Sequence, residues 1–484
     1  MKYEPVIGLE VHAELLTQSK MFCGCRVVTA DEVAPNSAVC PVCTGMPGVL
    51  PVINRQALTY AILTGLALNC TINEFSLFAR KNYFYPDLPK GYQISQYEYP
   101  LCVNGWLEID LPSGAHQRIG IRRVHLEEDT GKLTHVEGGH SRVDFNRSGV
   151  PLMEIVSEPD LRSAEEVVAY ARKLRAILRY LGVNSGDMEK GVIRFEPNIS
   201  IRPAGSTEFG TRTELKNLNS FRAIERGTAH ELARQEQVLH SGGAVVQETR
   251  GWDEARGITV AQRSKEYADD YRYFPEPDLP PLVVARAWIE ELRAALPELP
   301  DAKRERFVRE YGLTREAAAR LTEDRPVADY FEAAVRAGKA EARTVANWVL
   351  TDLFRLMNEG GQSIEGVRVT PRMLADLIAL VEAGTINANT GKRVLAAMFA
   401  SGETARSLVE RDGLAQISDS GALAAAARNI LDANPAEIEK YLSGKQAVLG
   451  WLVGQVMKAT RGKANPNVVR ELLLRELNAR RKLS

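Results

Sequence analysis

The sequence has no G-x-x-x-x-G-K-[ST] loop and no G-x-G-x-x-G turn, which argues against a P-loop or dinucleotide-binding fold. It has no G-x-S-x-G elbow, so a hydrolase serine is not expected. No apolar run of membrane-spanning length occurs, and Met1-Lys2-Tyr3-Glu4 leads straight into an alternating segment without a basic leader. A cytoplasmic protein with no membrane contact is expected. An excess of one charge is also missing, since 61 Lys and Arg stand against 62 Asp and Glu, a formal net charge of -1. That argues against a uniformly basic surface coating nucleic acid, so any contact with RNA must come from local charge. Cysteine is scarce, with six in 484 residues, and four of these crowd between positions 23 and 43. A disulfide framework is not distributed in this way, and metal binding is the better expectation.

What is present is ordinary globular material, 45% hydrophobic and 25% charged, in a chain long enough for two or three domains. Up to about residue 290, short alternating segments are broken by Gly, Pro and Asn, with a few strong helices between them; this reads as an α+β domain. One helix starts after Pro159-Asp160, where Ser163 and Glu166 form a capping box, Val167, Ala171, Leu174, Leu178 and Leu181 form the buried stripe, and Gly182 closes it. The proline-rich connector 275–281 ends the strand-rich part, residues 291–412 read as an all-α domain, and 413–484 as a small all-α tail.

Residues 6–15 alternate, with Ile7, Leu9, Val11, Ala13 and Leu15 on one face and Glu10, His12 and Glu14 on the other. Alternate side chains on a strand project together roughly 6–7 Å apart, so Glu10 and His12 can converge on one ion. His125-Leu-Glu-Glu-Asp129 and the segment around Glu154, flanked by Met153 and Ile155, also set carboxylates among strand-forming apolar residues. A buried carboxylate is costly unless paired or coordinated, and several together suit magnesium with substrate phosphates. Periodicity places Glu127 with His125 and Glu128 with Leu126, and does not say which glutamate faces the ion. Arg194, Glu196, Asn198, Ser200 and Arg202 align on a further strand, and Arg212, Glu214 and Lys216 repeat the pattern. Cations and amides beside acidic ligands are what phosphoryl transfer needs. Cys23-Gly-Cys25 and Cys40-Pro-Val-Cys43, fourteen residues apart, give the spacing of a closed structural zinc site, although the first pair has one intervening residue instead of two.

Longer segments then carry a resemblance. Val6-Ile-Gly-Leu-Glu-Val-His12, Arg80-Lys-Asn-Tyr-Phe-Tyr-Pro-Asp87, Tyr92-Gln-Ile-Ser-Gln96, Glu154-Ile-Val-Ser-Glu-Pro-Asp160, Glu214-Leu-Lys-Asn-Leu-Asn-Ser220 and Asp269-Asp-Tyr-Arg-Tyr-Phe-Pro-Glu-Pro-Asp278 recur in order. Together with His125–Asp129 and Gly450–Lys458 they closely resemble the B subunits of aspartyl/glutamyl-tRNA amidotransferases, over essentially the whole chain. The resemblance implies a cradle-like α+β domain for ATP, magnesium and the tRNA acceptor end, then a helical domain and a YqeY-like tail gripping the tRNA body. It implies ATP-dependent phosphorylation of misacylated Glu-tRNA(Gln), Asp-tRNA(Asn) or both, with a glutaminase/amidase and a small clamp-like protein, the A and C subunits, as partners. It also implies Glu10, His12, Glu128 and Glu154 as catalytic magnesium ligands. Arg194, Asn198, Arg202 and Lys216 are the candidate ATP contacts, while zinc at Cys23, Cys25, Cys40 and Cys43 rests on spacing. From Lys445 to Ser484 nine Lys and Arg face only Glu471 and Glu476, a locally cationic tail suited to phosphate backbone. The competing readings are a non-catalytic tRNA-binding scaffold with a structural zinc and a metal-dependent nuclease.

Overall fold

The structure, a computed structural model, describes all residues except 1, 30–31, 112–113, 137, 265–270, 416–419, 461–463 and 482–484. Asp269 and Asp270 of the motif that ends at Asp278, and Arg461, Lys463 and Lys482 of the basic tail, lie outside the described residues. The chain divides into two compact units, Met1–Pro300 and Asp301–Ser484.

The first unit is built on a nine-stranded sheet of β1 (Tyr3–Glu14), β2 (Thr71–Ile72), β3 (Cys102–Asp110), β4 (His116–Glu128), β5 (Pro151–Ser157), β6 (Ile193–Pro203), β7 (Thr213–Lys216), β8 (Glu248–Asp253) and β9 (Ile258–Ser264). Their spatial order is β9-β8-β7-β6-β1-β5-β4-β3-β2, which places β1 at the centre. Ile7, Leu9, Val11 and Ala13 on one face of β1 are at most 1% exposed and join the main apolar core. Burying Ile7, Leu9 and Val11 contributes about 1.5–3 kcal/mol each, which fixes the register and leaves Glu10, His12 and Glu14 on the opposite face. Helices α1 (Arg55–Ala67), α2 (Ala164–Tyr180) and α3 (Phe221–His240) supply further core residues.

The expected antiparallel sheet holds except between β7 and β8, which pair in parallel. The twenty-residue α3 lies between them in the chain and gives the long crossover that a parallel pair requires. At the start of α2, Ser163 Oγ accepts from Glu166 N at 3.1 Å, while the Glu166 carboxylate reaches past the cap to Arg162 N at 2.6 Å. The buried stripe includes Tyr170, Ile177 and Tyr180 beside the expected Val167, Ala171, Leu174 and Leu178, whereas Leu181, also expected there, is the C-cap and only partly buried, and Gly182 follows at φ +67°.

The second unit is helical throughout its described residues, except for short turns and connectors. Its buried apolar side chains form two clusters, one within residues 307–409 and one within 423–477.

Candidate functional site

Register across β6, β1, β5 and β4 brings polar residues distant in sequence to one patch. His12 lies opposite Glu154 on one side and Arg194 on the other, Glu154 lies opposite His125, and Glu10 lies opposite Glu196. Directly opposed residues share a face, so these side chains meet. His12 Nε2 is 3.5 Å from Glu154 Oε2 and 3.6 Å from Glu127 Oε1. The ligand atoms of His12, Glu127 and Glu154 all lie within 4.8 Å of one another, as do those of a neighbouring trio, Glu10, Glu196 and Glu214. His12 Nδ1, 3.9 Å from Glu196 Oε2, stands between the two trios.

The charges are strongly coupled. Burial opposes a charged His12, but its hydrogen bond to Glu154 and the carboxylates of Glu196, Glu154 and Glu127 push its pKa up to about 9. Burial, reinforced by Glu154, pushes Glu127 up to about 7, while burial holds His125 down to about 4. Burial also works against Glu154, yet His125 and His12 keep it well below the usual carboxylate range. Lys216 Nζ, 2.8 Å from Glu196, outweighs burial and holds that carboxyl down to about 2. Without an ion the protonated His12 offsets the ionised Glu154 and Glu196, and a divalent cation can take over that role once the imidazole gives up its proton.

Of the four expected magnesium ligands, His12 and Glu154 share the first trio and Glu10 belongs to the second. Glu128, expected to face the ion beside His12, is in neither. Its carboxylate pairs with Lys90 and accepts from Ile94 N at 3.0 Å. Strand parity is the reason. His125 lies opposite Glu154, so Glu127, two residues on, shares that face, and Glu128 points away. Arg194 donates to Asp129 Oδ2 at 3.4 Å, Asn198 donates to Glu10 Oε1 at 3.0 Å, and Lys216 pairs with Glu196. Arg202 instead pairs with Glu4 at 2.6 Å, six residues from Glu10 along β1, so about 20 Å from the acidic trios at strand rise. Sequence reasoning missed Lys81 and Arg123. Arg123 Nη2 is 3.7 Å from Glu154 Oε1. Burial opposes the charge on Lys81, but Tyr273, Glu127 and Glu154 keep its ammonium above the usual lysine range. Lys81 belongs to the Arg80–Asp87 motif, but its short strand, Ala79–Asn82, gives no periodicity from which to place it.

Residues 5–290 match the family described as the GatB/GatE catalytic domain, and residues 329–477 match one described as the GatB domain. This chain belongs to the GatB/GatE family. It is 54% identical over 477 residues to the B subunit of the aspartyl/glutamyl-tRNA(Asn/Gln) amidotransferase of Thermodesulfovibrio yellowstonii, covering 99% of this chain and 100% of that relative. It is 55% identical over 482 residues to the protein of that name from Herpetosiphon aurantiacus, again covering 99% of this chain and 100% of the relative.

The GatB/GatE catalytic match also contains the cysteine quartet. The sulfurs of Cys23, Cys25, Cys40 and Cys43 lie within 4.8 Å of one another, and those of Cys40 and Cys43 are 3.9 Å apart. Tetrahedral thiolates about 2.3 Å from an ion stand about 3.8 Å apart, so the cluster fits a closed metal site. The turn just before β5 holds both parts of the cluster, with Ser148 Oγ donating to Cys43 O at 3.0 Å and Met21 N, ahead of the first pair, donating to Gly149 O at 2.7 Å.

Proposed function

We propose that this chain uses ATP to phosphorylate the side-chain carboxylate of a misacylated Glu-tRNA(Gln) or Asp-tRNA(Asn), so that ammonia from an amidase partner can form the amide. The convergence of His12, Glu127 and Glu154 carries this reading, with Glu10, Glu196 and Glu214 beside it. These residues would hold magnesium, Glu127 taking the place expected for Glu128. Bound magnesium supplies neutralisation of the polyphosphate charge. A carboxylate is a poor acyl donor until one of its oxygens attacks the γ-phosphorus of ATP and ADP departs. Ammonia then attacks the carbonyl carbon of the mixed anhydride and phosphate leaves. No protein nucleophile is needed, consistent with a patch of acids and cations.

The other residues have positioning and charge to supply. Arg123 and Lys81 set cations beside Glu154, suited to the transferring phosphoryl group. A cavity of about 420 Å³ lined by Glu10, Arg123, Asn198, Ser200, Phe209 and Arg212 is large enough for the nucleotide. The loop carrying Phe209 is pinned to β6 at Gly210, where a Cβ would stand 2.1 Å from Ile201 O. Asn198 fixes the Glu10 carboxylate, and Arg194 serves the rim of the patch through Asp129 rather than by a free guanidinium.

The quartet would hold a structural zinc, and a small third protein would complete the assembly. The division of the second unit near Asp412 into a helical domain and a tRNA-binding tail is supported by its two apolar cores and the cationic tail. The test supplies the assembled complex with ATP and each misacylated tRNA, with and without glutamine. ADP release that depends on the misacylated tRNA supports the proposal, whereas amide formation without ATP consumption refutes it.

A further inference from the structure

Lys20 is a charged side chain sealed out of water, with 0% relative exposure. A buried ammonium normally sheds its proton or sits against a carboxylate, because an isolated charge in an apolar interior is expensive. Lys20 has no carboxylate partner among the described residues. Its Nζ donates to Cys43 Sγ at 3.5 Å and to Phe145 O at 3.3 Å. Glu128 is close by, since a Cβ on Gly149 would be 3.4 Å from Cys43 Cβ, 3.6 Å from Lys20 Cδ and 3.9 Å from Glu128 Oε2. That carboxylate is already paired with Lys90. The backbone also commits Lys20 to the cluster, since Lys20 N donates to Cys25 O at 2.9 Å.

Four thiolates around a divalent ion keep two negative charges in excess, and of the four cysteines Cys43, the one that Lys20 touches, is the buried one. The neighbouring groups decide how tightly such a site holds its metal, and removing one typically costs 10- to 100-fold in affinity. Lys20 and the quartet therefore each carry a charge that the other can offset.

We propose that Lys20 is the resident counter-cation of the four-cysteine metal site, holding the Cys43 sulfur by an N–H···S bond and slowing loss of the ion. This rests on the quartet binding a metal. Lys20 is a positioning residue, and the readout is metal retention rather than activity. The full chain, loaded with zinc, is challenged with a competing chelator alongside Lys20→Met, which keeps the length and removes the charge. Zinc release should be about 10- to 100-fold faster in the variant. Without metal, the variant should be at least as resistant to urea as the parent, because replacing a buried charge by an apolar isostere is often neutral or stabilising. If Lys20→Met fails to fold, Lys20→Gln, which retains a donor without the charge, carries the same test. Zinc release at the parental rate overturns the proposal, and so does an equal loss of stability with and without zinc, which marks a packing role. A parent chain that takes up no zinc or cobalt(II) overturns instead the reading of the quartet on which the proposal rests.

Discussion

Glu127 and Glu128 are neighbours, each 3% exposed, and their chemistry differs because a strand sends them to opposite sides. Burial alone could not choose between them in the sequence; the partner strand chooses, through His125 opposite Glu154. The two are separable by experiment. Glu127→Gln should shift the magnesium concentration for half-maximal phosphoryl transfer and lower the rate by orders of magnitude. Glu128→Gln should leave that magnesium dependence in place and lower stability by about 1–3 kcal/mol, because it takes the charged partner from the partly buried Lys90. The reverse result would restore Glu128 as the ligand. His12 adds a pH signature. Its folded pKa of about 9 exceeds its ordinary 6.5, so its contribution is complete below 6.5 and lost as pH rises through 9. Without added magnesium, the midpoint of thermal unfolding should fall between about pH 7 and 9.5, and fall less in His12→Gln; parallel profiles would show that His12 is not the titrating group.

At the scale of elements, the alternation of β1 was legible because one face is fully buried and the other is not. The start and stop of α2 were legible because capping is local chemistry. Ser163→Ala should cost about 1 kcal/mol, measured by urea unfolding, and no change would mean the Glu166 carboxylate alone serves the helix start. The parallel β7–β8 pair was not legible, since short strands give no sign of their partner's direction. Arg202 shows the same limit. It shares a face with Arg194, but a long strand carries aligned residues beyond reach of one site. The cysteine quartet was legible from spacing, although its unusual one-residue first knuckle left the geometry open. Replacing Cys23, Cys25, Cys40 and Cys43 together by Ser should release one zinc per chain and lower stability, because a structural metal contributes directly to folding. A metal-free parent of undiminished stability would contradict this.

At the scale of the whole molecule, local charge matters more than the net charge of -1. Among the described basic residues of the tail, Arg480 is tied to Asp432, while Lys445, Lys458, Arg470 and Arg475 add positive charge. Truncation after Leu414 should weaken tRNA binding and flatten its salt dependence while leaving the acidic patch assembled. Unchanged affinity at physiological salt would make the tail a solvated surface. The central claim is that the acidic patch on β1, β4 and β5 transfers phosphate to the carboxylate of the misacylated tRNA. The most direct measurement follows ADP release and amide-tRNA formation by the assembled complex carrying Glu154→Gln, which keeps the shape of the side chain and removes its charge. The expected result is a fall of both by orders of magnitude, with tRNA affinity and basal glutamine hydrolysis by the amidase partner preserved. Amide-tRNA formed at the parental rate with saturating ATP would contradict it.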